Sequence, residues 1–403
     1  MVLAPDMIHD AVALVESMLG QALASGATDL HLDPGSNGMS VRHRIDGVLH
    51  DVDRIPSAMA NGAVARLKVL SGLLTYRIDV PQEGSFEFET ADRGARLGEQ
   101  LAGDARGSTV DMRVATFPTI YGERVVVRLF DQRTEVRSLD QLGLGDDVVR
   151  SLKSGVAQTS GLVLVTGPAG AGKSTTLYAL ARHIRMTMPG RCVVSLEDPV
   201  EQRVEGLTQI QVQPFGELNY AAAMRSLLRQ DVEVLLVGEI RDAHTAHVVI
   251  EAALTGHLIL STLHSGDPAE ALARLVEMGI APYQLTSTLR LVCSQRLLRK
   301  RCTKCGGARC LDGCKVCAST GFHGRTACAQ LATIDDRLRR AIIELAPTAR
   351  LRELILEKHP DLRTQSRGMV RDGLTTAEEV MRVLGAEFSA STRASVIDES
   401  GAT

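Results

Sequence analysis

The sequence predicts an α/β chain: a parallel-sheet domain built around a phosphate-binding loop, preceded by a smaller α/β domain and carrying an inserted cysteine module. Three observations lead there. The stretch Gly167-Pro168-Ala169-Gly170-Ala171-Gly172-Lys173-Ser174 fits the pattern G-x-x-x-x-G-K-[ST] at every fixed position. From Val148 onward, apolar strand-length runs alternate with helical patterns, as a parallel sheet requires. Before that point, short alternating runs are separated by turn clusters, the mark of hairpins.

In chain order, Ile8, Val12, Val15, Met18, Leu19 and Leu23 recur at helical spacing and predict an amphipathic helix over 6–26. Alternation then predicts strands over 27–34 and 41–49, the second turning at Asp46-Gly47. A helix is expected over 57–74, a strand around 86–89, an exposed loop over 91–108, and strands over 111–117 and 123–130. These make the first domain, 1–138, with a linker over 139–152. The second domain, 153–386, is expected to hold strands at 161–166, 192–196, 233–238 and 257–262. Its helices are expected at 173–188, 219–230, 243–255, 268–278, 283–299, 335–345, 348–358 and 375–384. A cysteine module occupies 302–328, and the Ser/Thr-rich stretch 387–403 reads as a disordered tail.

Composition excludes several roles. A net charge of −3 gives no general attraction for nucleic acid, and 3% aromatic residues with no Trp leave little on which bases stack. The first residues lack a basic stretch followed by a long apolar one, so no signal peptide is read, and no run reaches the roughly 18 apolar residues of a membrane span. The expectation is a cytosolic protein. Five of eight cysteines fall within 302–317, which in a reducing compartment points to metal instead of disulfides.

The chemistry-bearing residues follow the strand ends. Glycines let the loop turn its N–H groups into one cavity, and the following helix start adds partial positive charge. Lys173 is placed to reach the β- and γ-phosphates and Ser174 to hold Mg²⁺, with Thr175 continuing the loop into the helix. Glu197, with Asp198 and Glu201, follows the strand at 192–196 and is a candidate for the metal or its waters; the plain alternative is an acidic turn before Pro199. Glu239, sixty-five residues after Ser174, ends an apolar strand and is placed to polarise the attacking water. The residue before it is Gly238 where an Asp is usual, shifting metal binding toward Ser174 and Glu197. His264 at the far end of the next strand, and His257 at its start, are candidates for sensing phosphate or water. Arg225 and Arg229, four apart on one helix face, and Arg241 are candidates for stabilising phosphoryl charge. Cys302-x-x-Cys305 and Cys314-x-x-Cys317 predict a structural four-thiolate Zn²⁺ site; the loop between them has only eight residues and contains Cys310, which leaves the ligand choice open by one cysteine. Cys192, Cys293 and Cys328 read as buried small hydrophobes.

These residues together resemble the type II secretion and type IV pilus assembly ATPases, the GspE/PulE/PilB family. The resemblance runs through GPAGAGKSTTLY at 167–178, SLEDPVE at 195–201, RSLLRQDVEVLLVGEIRD at 225–242 and ALTGHLILSTLHSGD at 253–267. It extends to TDLHLDP at 28–34, VRHRIDGVL at 41–49, RLKVLSGL at 66–73 and 111–130, and to the end of the cysteine module at 313–325. It implies a RecA-like ATPase domain after a smaller PAS-like one, and a cytosolic Mg-ATP motor acting as a homo-hexamer at the inner membrane through platform and docking proteins. It also makes Arg113 and Arg128 candidates for reaching the nucleotide. Three departures stand out. The usual extra N-terminal domain, which docks to the membrane-bound partner, is not seen. His-Ser-Gly-Asp replaces the usual His-Thr-Asn-Asp at 264–267, and the cysteine module is compressed. Retraction ATPases are a close alternative, though they usually lack the four cysteines; a DNA-handling translocase is a more distant one, opposed by the mild acidity.

Overall fold

The computed structural model describes residues 5–90, 108–130, 138–213, 218–307, 314, 316–317 and 319–385. Of the expected loop at 91–108, Ser108 instead opens a strand; the rest of it, the tail at 387–403 and Cys310 lie outside the described residues. The chain divides into two units, Met1–Glu135 and Val136–Thr403.

In the first unit α1 (Pro5–Ala24) precedes β1 (Asp29–Gly35), β2 (Gly38–Ile45) and β3 (Val48–Ile55); α2 (Ser57–Leu70) precedes β4 (Gln82–Thr90), β5 (Ser108–Thr119) and β6 (Gly122–Phe130). The strands form one antiparallel sheet in the order β3-β2-β1-β6-β5-β4. Leu30, Leu32, Val41, Met112, Val114, Val125 and Val127 share a core with Val15 and Leu19 of α1 and Leu67 of α2. The β2–β3 turn falls at Asp46-Gly47 as expected, with φ of 48° and 83°, the left-handed pair a two-residue hairpin turn needs. Lys68 and Glu123, both buried, form an ion pair at 2.5 Å that no local pattern announces.

The second unit opens with a 3-10 turn (Leu139–Gln141) and α3 (Asp146–Val156). The expected linker at 139–152 is therefore corrected: Leu139, Leu142, Val148, Val149 and Leu152 are buried in this unit's core, because the apolar face of a charged, Gly-punctuated stretch finds cover there. Then come β7 (Gly161–Thr166), α4 (Lys173–Thr187), β8 (Val193–Glu197), β9 (Thr208–Gln211), α5 (Tyr220–Leu227), β10 (Val234–Val237), α6 (Ala243–Leu254), β11 (Leu258–Leu263), α7 (Pro268–Glu277) and α8 (Pro282–Thr288). A hairpin of β12 (Leu289–Arg301) and β13 (Phe322–Thr333) and helices α9 (Asp336–Ile343), α10 (Thr348–Leu356), α11 (Leu362–Arg371) and α12 (Ala377–Leu384) complete it. The sheet order is β13-β12-β7-β11-β10-β8-β9, parallel except for β12–β13. Helices cover both faces. Leu162, Leu164, Leu235 and Ile259 point to one core; Val163, Val165, Leu236 and Leu260 point to the other. That two-sided burial is why these strands read as continuous apolar runs.

The same burial explains one error. The helix expected over 283–299 stops at Thr288, and the rest is β12, sandwiched between β7 and β13. With both faces covered, its apolar residues show no strand alternation and imitate a helical period. The short edge strand β9 and the helix α11 were not anticipated.

Helix α12 docks on β12 through Glu379, whose carboxylate is fully buried and accepts from the Arg299 backbone N–H (3.0 Å), the Arg299 guanidinium (2.8 Å) and Arg382 (2.6 Å). Arg299 also lies over the Phe322 ring at 4.1 Å. Burial by itself raises the Glu379 carboxyl pKa, but the hydrogen bonds from Arg382 and Arg299 outweigh it, so its pKa lies below the ordinary 4.5. A carboxyl depressed on folding contributes stability above its unfolded pKa and loses it as pH falls through the folded one. Glu379→Gln should therefore lower stability at neutral pH by about 3 kcal/mol. In thermal melts across pH, the gap from wild type should shrink as pH falls below 4.5.

Candidate functional site

The parallel register sends the chain out of β7, β11 and β10 along one sheet edge. Thr166 pairs with Leu263, and Val237 with Ser261, so Gly167, His264 and Glu239 emerge side by side. The phosphate loop turns between β7 and α4. Gly167, Gly170 and Gly172 have φ of 149°, 75° and 83°, conformations that side chains disfavour. Gly167 and Ala171 are buried, while Pro168, Ala169, Gly170 and Thr175 are exposed, giving the loop an exposed crest on a fixed base. Ser174 is half-buried in the first turn of α4.

A chain of contacts crosses this edge. Lys173 Nζ donates to the carbonyl oxygens of Gly167 (2.9 Å) and Pro168 (3.3 Å) and lies 3.3 Å from His264 Nδ1. His264 Nε2 lies 2.7 Å from Glu239 Oε1. An ammonium only donates and a carboxylate only accepts, so the histidine fits as the neutral tautomer with its proton on Nε2. Glu239 Oε2 accepts from Arg241 Nε (2.9 Å), and Arg241 Nη1 reaches Asp198 Oδ2 at 3.0 Å. Burial pulls the Lys173 pKa below its ordinary value, a pull that the Glu239 and Glu201 carboxylates oppose. The arrangement offers an ammonium, a helix start and loop N–H groups for phosphate, with an oriented carboxylate beside them.

Sequence reasoning placed Lys173, Ser174, Glu239 and His264 together, and the structure brings them to one edge. Glu197 differs in setting. It ends β8, is 5% exposed, and accepts from Ser195 Oγ (2.6 Å), Gln209 Nε2 (3.0 Å) and the Tyr178 hydroxyl. Burial, with that carboxylate beside it, drives the Tyr178 phenol pKa upward, so it stays a donor. Gly238 stands where an Asp is usual, at a tight position: a β-carbon there would lie 3.1 Å from the Tyr220 hydroxyl and 3.3 Å from the Leu196 carbonyl oxygen.

Three expectations need correction: the placing of His257, the shared face of Arg225 and Arg229, and the burial of Cys192. His257 precedes β11, six residues long, so it sits about 20 Å from the nucleotide edge, its Nδ1 against the Ala252 carbonyl oxygen. Arg225 and Arg229 do not share a helix face, since α5 ends at Leu227; both are exposed. Cys192 is exposed, whereas Cys293 and Cys328 are buried as expected. Arg113 and Arg128 lie on β5 and β6 of the first unit, each already holding a carboxylate: Arg113 with Glu83 at 2.7 Å, Arg128 with Asp29 at 3.0 Å. Gln295 on β12, which touches the loop from behind, was missed; no short motif carries it.

At the far end of the β12–β13 hairpin, the sulfur atoms of Cys302, Cys305, Cys314 and Cys317 all lie within 4.8 Å of one another. The Cys302–Cys314 and Cys305–Cys317 separations are 4.0 and 3.7 Å. A tetrahedral zinc with bonds of ~2.3 Å needs sulfur–sulfur edges of ~3.8 Å, so the donor set fits.

Residues 8–382 match the family described as Type II/IV secretion system protein. The chain is 37% identical over 378 residues to the type II secretion system protein HxcR of Pseudomonas aeruginosa, across 92% of this chain and 77% of that one. It is 34% identical over 391 residues to the type IV pilus assembly ATPase PilB of Thermus thermophilus, across 91% of this chain and 42% of that one. Among solved structures, the pilus retraction motor PilT with bound ADP superposes with a TM-score of 0.62 at 25% identity, covering 91% of this chain and 96% of PilT. The ATPase DotB of Legionella pneumophila, at 21% identity and a TM-score of 0.69 over 91% and 94% of the two chains, shares the fold.

Zinc titrated into metal-stripped protein should bind at one ion per chain through the four sulfurs. Replacing Cys305 or Cys314 by Ser should weaken it, as a chromophoric chelator competition would report.

Proposed function

The chain belongs to the type II/IV secretion system protein family, and from that premise we propose that it is a Mg-ATP-hydrolysing motor of a secretion or pilus-assembly machine. The observation that carries this reading is the contact chain Lys173–His264–Glu239 beside the glycine loop. In it, the loop N–H groups, Lys173 and the α4 start take the phosphates. Ser174 would hold Mg²⁺, which would supply charge neutralisation to the phosphates. Glu239 polarises the attacking water and receives its proton; His264 and Arg241 hold that carboxylate in orientation. Glu197 acts through its fixed neighbours Tyr178, Ser195 and Gln209 to shape the acidic turn at Asp198.

The remaining assignments follow the family. The motor works as a homo-hexamer in the cytoplasm, peripheral to the inner membrane, and delivers force to platform and docking proteins there. No helix among the described residues is long and apolar enough to cross a membrane. Arg113 and Arg128 are offered to nucleotide, where phosphate would compete with the Glu83 and Asp29 carboxylates that now hold them. Zn²⁺ in the four-cysteine site is structural. The likeness to PilT keeps retraction as a second reading, but the tetracysteine cluster favours secretion or assembly.

Glu239→Gln tests the central role. It should cut ATP turnover by at least about 100-fold while ATP binding persists, because an amide cannot take the proton. Near-normal phosphate release from this variant would overturn the assignment.

A further inference from the structure

Strand β12 passes directly behind the phosphate loop, and Gln295 is the residue that meets it. Its side chain is buried, at 1% exposure. Nε2 donates to the Ala171 carbonyl oxygen at 2.6 Å, and Oε1 accepts from the Thr176 hydroxyl at 2.9 Å. A carbonyl on one side and a hydroxyl donor on the other fix which end of the amide faces which. The same residue borders the loop's first and last glycines. A β-carbon on Gly167 would lie 2.6 Å from the Gln295 carbonyl oxygen, and one on Gly172 would lie 3.1 Å from Gln295 Nε2. Thr176, buried in the first turns of α4, also places its hydroxyl 3.2 Å from the Gly172 carbonyl oxygen.

Peptide planarity gives this contact its consequence. In a trans peptide the C=O of one residue and the N–H of the next point in opposite directions. A donor gripping the Ala171 carbonyl from the β12 side therefore turns the Gly172 N–H the other way, toward the cavity where phosphate is bound. It also polarises that N–H. We infer that Gln295 is a positioning residue for phosphate binding, holding the Ala171–Gly172 peptide with Thr176 as its partner. This rests on the proposed binding of nucleotide at the loop. The neighbouring residue extends the brace: Arg296 Nη2 donates to the Gly266 carbonyl oxygen at 2.9 Å, just beyond His264.

A preset loop grips phosphate in the ground state and the transition state alike, so its loss appears in affinity. In calorimetric titration with Mg-ADP, Gln295→Met, close to isosteric but without a donor, should raise Kd about tenfold, the scale of one strong hydrogen bond. ATP KM should rise in parallel and kcat should change much less; the ligand-free melting temperature should fall, because the Ala171 carbonyl loses its donor, so binding is compared well below both melting temperatures. Thr176→Val should do the same, and Thr176→Ser, which keeps the hydroxyl, should recover most of that loss. Should Gln295→Met fail to fold, the two Thr176 variants carry the test. Wild-type protein that does not bind Mg-ADP would overturn the nucleotide reading itself. Wild type that binds, with Gln295→Met or Thr176→Val binding equally well, would overturn only the role of Gln295.

Discussion

The parallel hydrogen-bond ladder of the second unit is the constraint from which its chemistry follows. Adjacent strands sit about 4.8 Å apart, and their register is locked residue to residue. With Thr166 opposite Leu263 and Val237 opposite Ser261, the residues after each strand have nowhere to emerge except beside one another. An ammonium from the α4 start, an imidazole after β11 and a carboxylate after β10 then reach one another at 3.3 and 2.7 Å without any long-range folding of loops. A slip of one residue in β11 would reverse every side chain in it. Both cores would be lost along with the site, so packing on two faces protects the geometry of one edge.

That edge is electrically self-contained. Lys173 donates to two carbonyl oxygens of its own loop and to an imidazole, and Glu239 is held by His264 and Arg241, with Asp198 behind them. Burial of the ammonium, only partly offset by the Glu239 and Glu201 carboxylates, is what lowers the Lys173 pKa, and its direct hydrogen-bond acceptors are neutral. Phosphate oxygens are anionic acceptors and form stronger, charge-assisted bonds than carbonyls do. Exchange of the Gly167 and Pro168 carbonyls for phosphate is therefore favourable for the ammonium. It also leaves His264 free to keep its proton on Glu239, so binding need not disturb the group that orients water.

What could be read in advance was whatever a contiguous segment carries. Gly167 and Gly172 were legible because their spacing is the motif, and Glu239 and His264 because each ends an apolar run. The four cysteines were legible as two pairs, and only the fold brings the pairs together in space. Other features depend on partners far away in the chain. The buried Lys68–Glu123 pair, the Tyr178 hydroxyl on Glu197 and the Gln295 amide on Ala171 are set by strand register and helix packing, and none leaves a local trace. The helix expected over 283–299 failed for a related reason: hydrophobic period reports how many faces are covered, and β12 is covered on both.

Three residues of strand β12 meet three different elements in succession, and the residue just past its end opens a fourth. Gln295 braces the phosphate loop, Arg296 holds the turn after His264, Arg299 is anchored by the buried Glu379 of α12, and Cys302 begins the sulfur cluster. The ladder with β13 shifts register between Arg299 and Arg301, so backbone pairing alone is weakest just before the hairpin's distal end. Two local clamps stand on either side of that irregularity. The Glu379–Arg299–Arg382 cluster fixes the strand from the α12 side, and four sulfurs gathered within 4.8 Å close the end where there is little core to do so. A brace is only as rigid as the strand that carries it, so the clamps on the distal half of β12 are part of what lets one amide at position 295 hold a phosphate loop in shape.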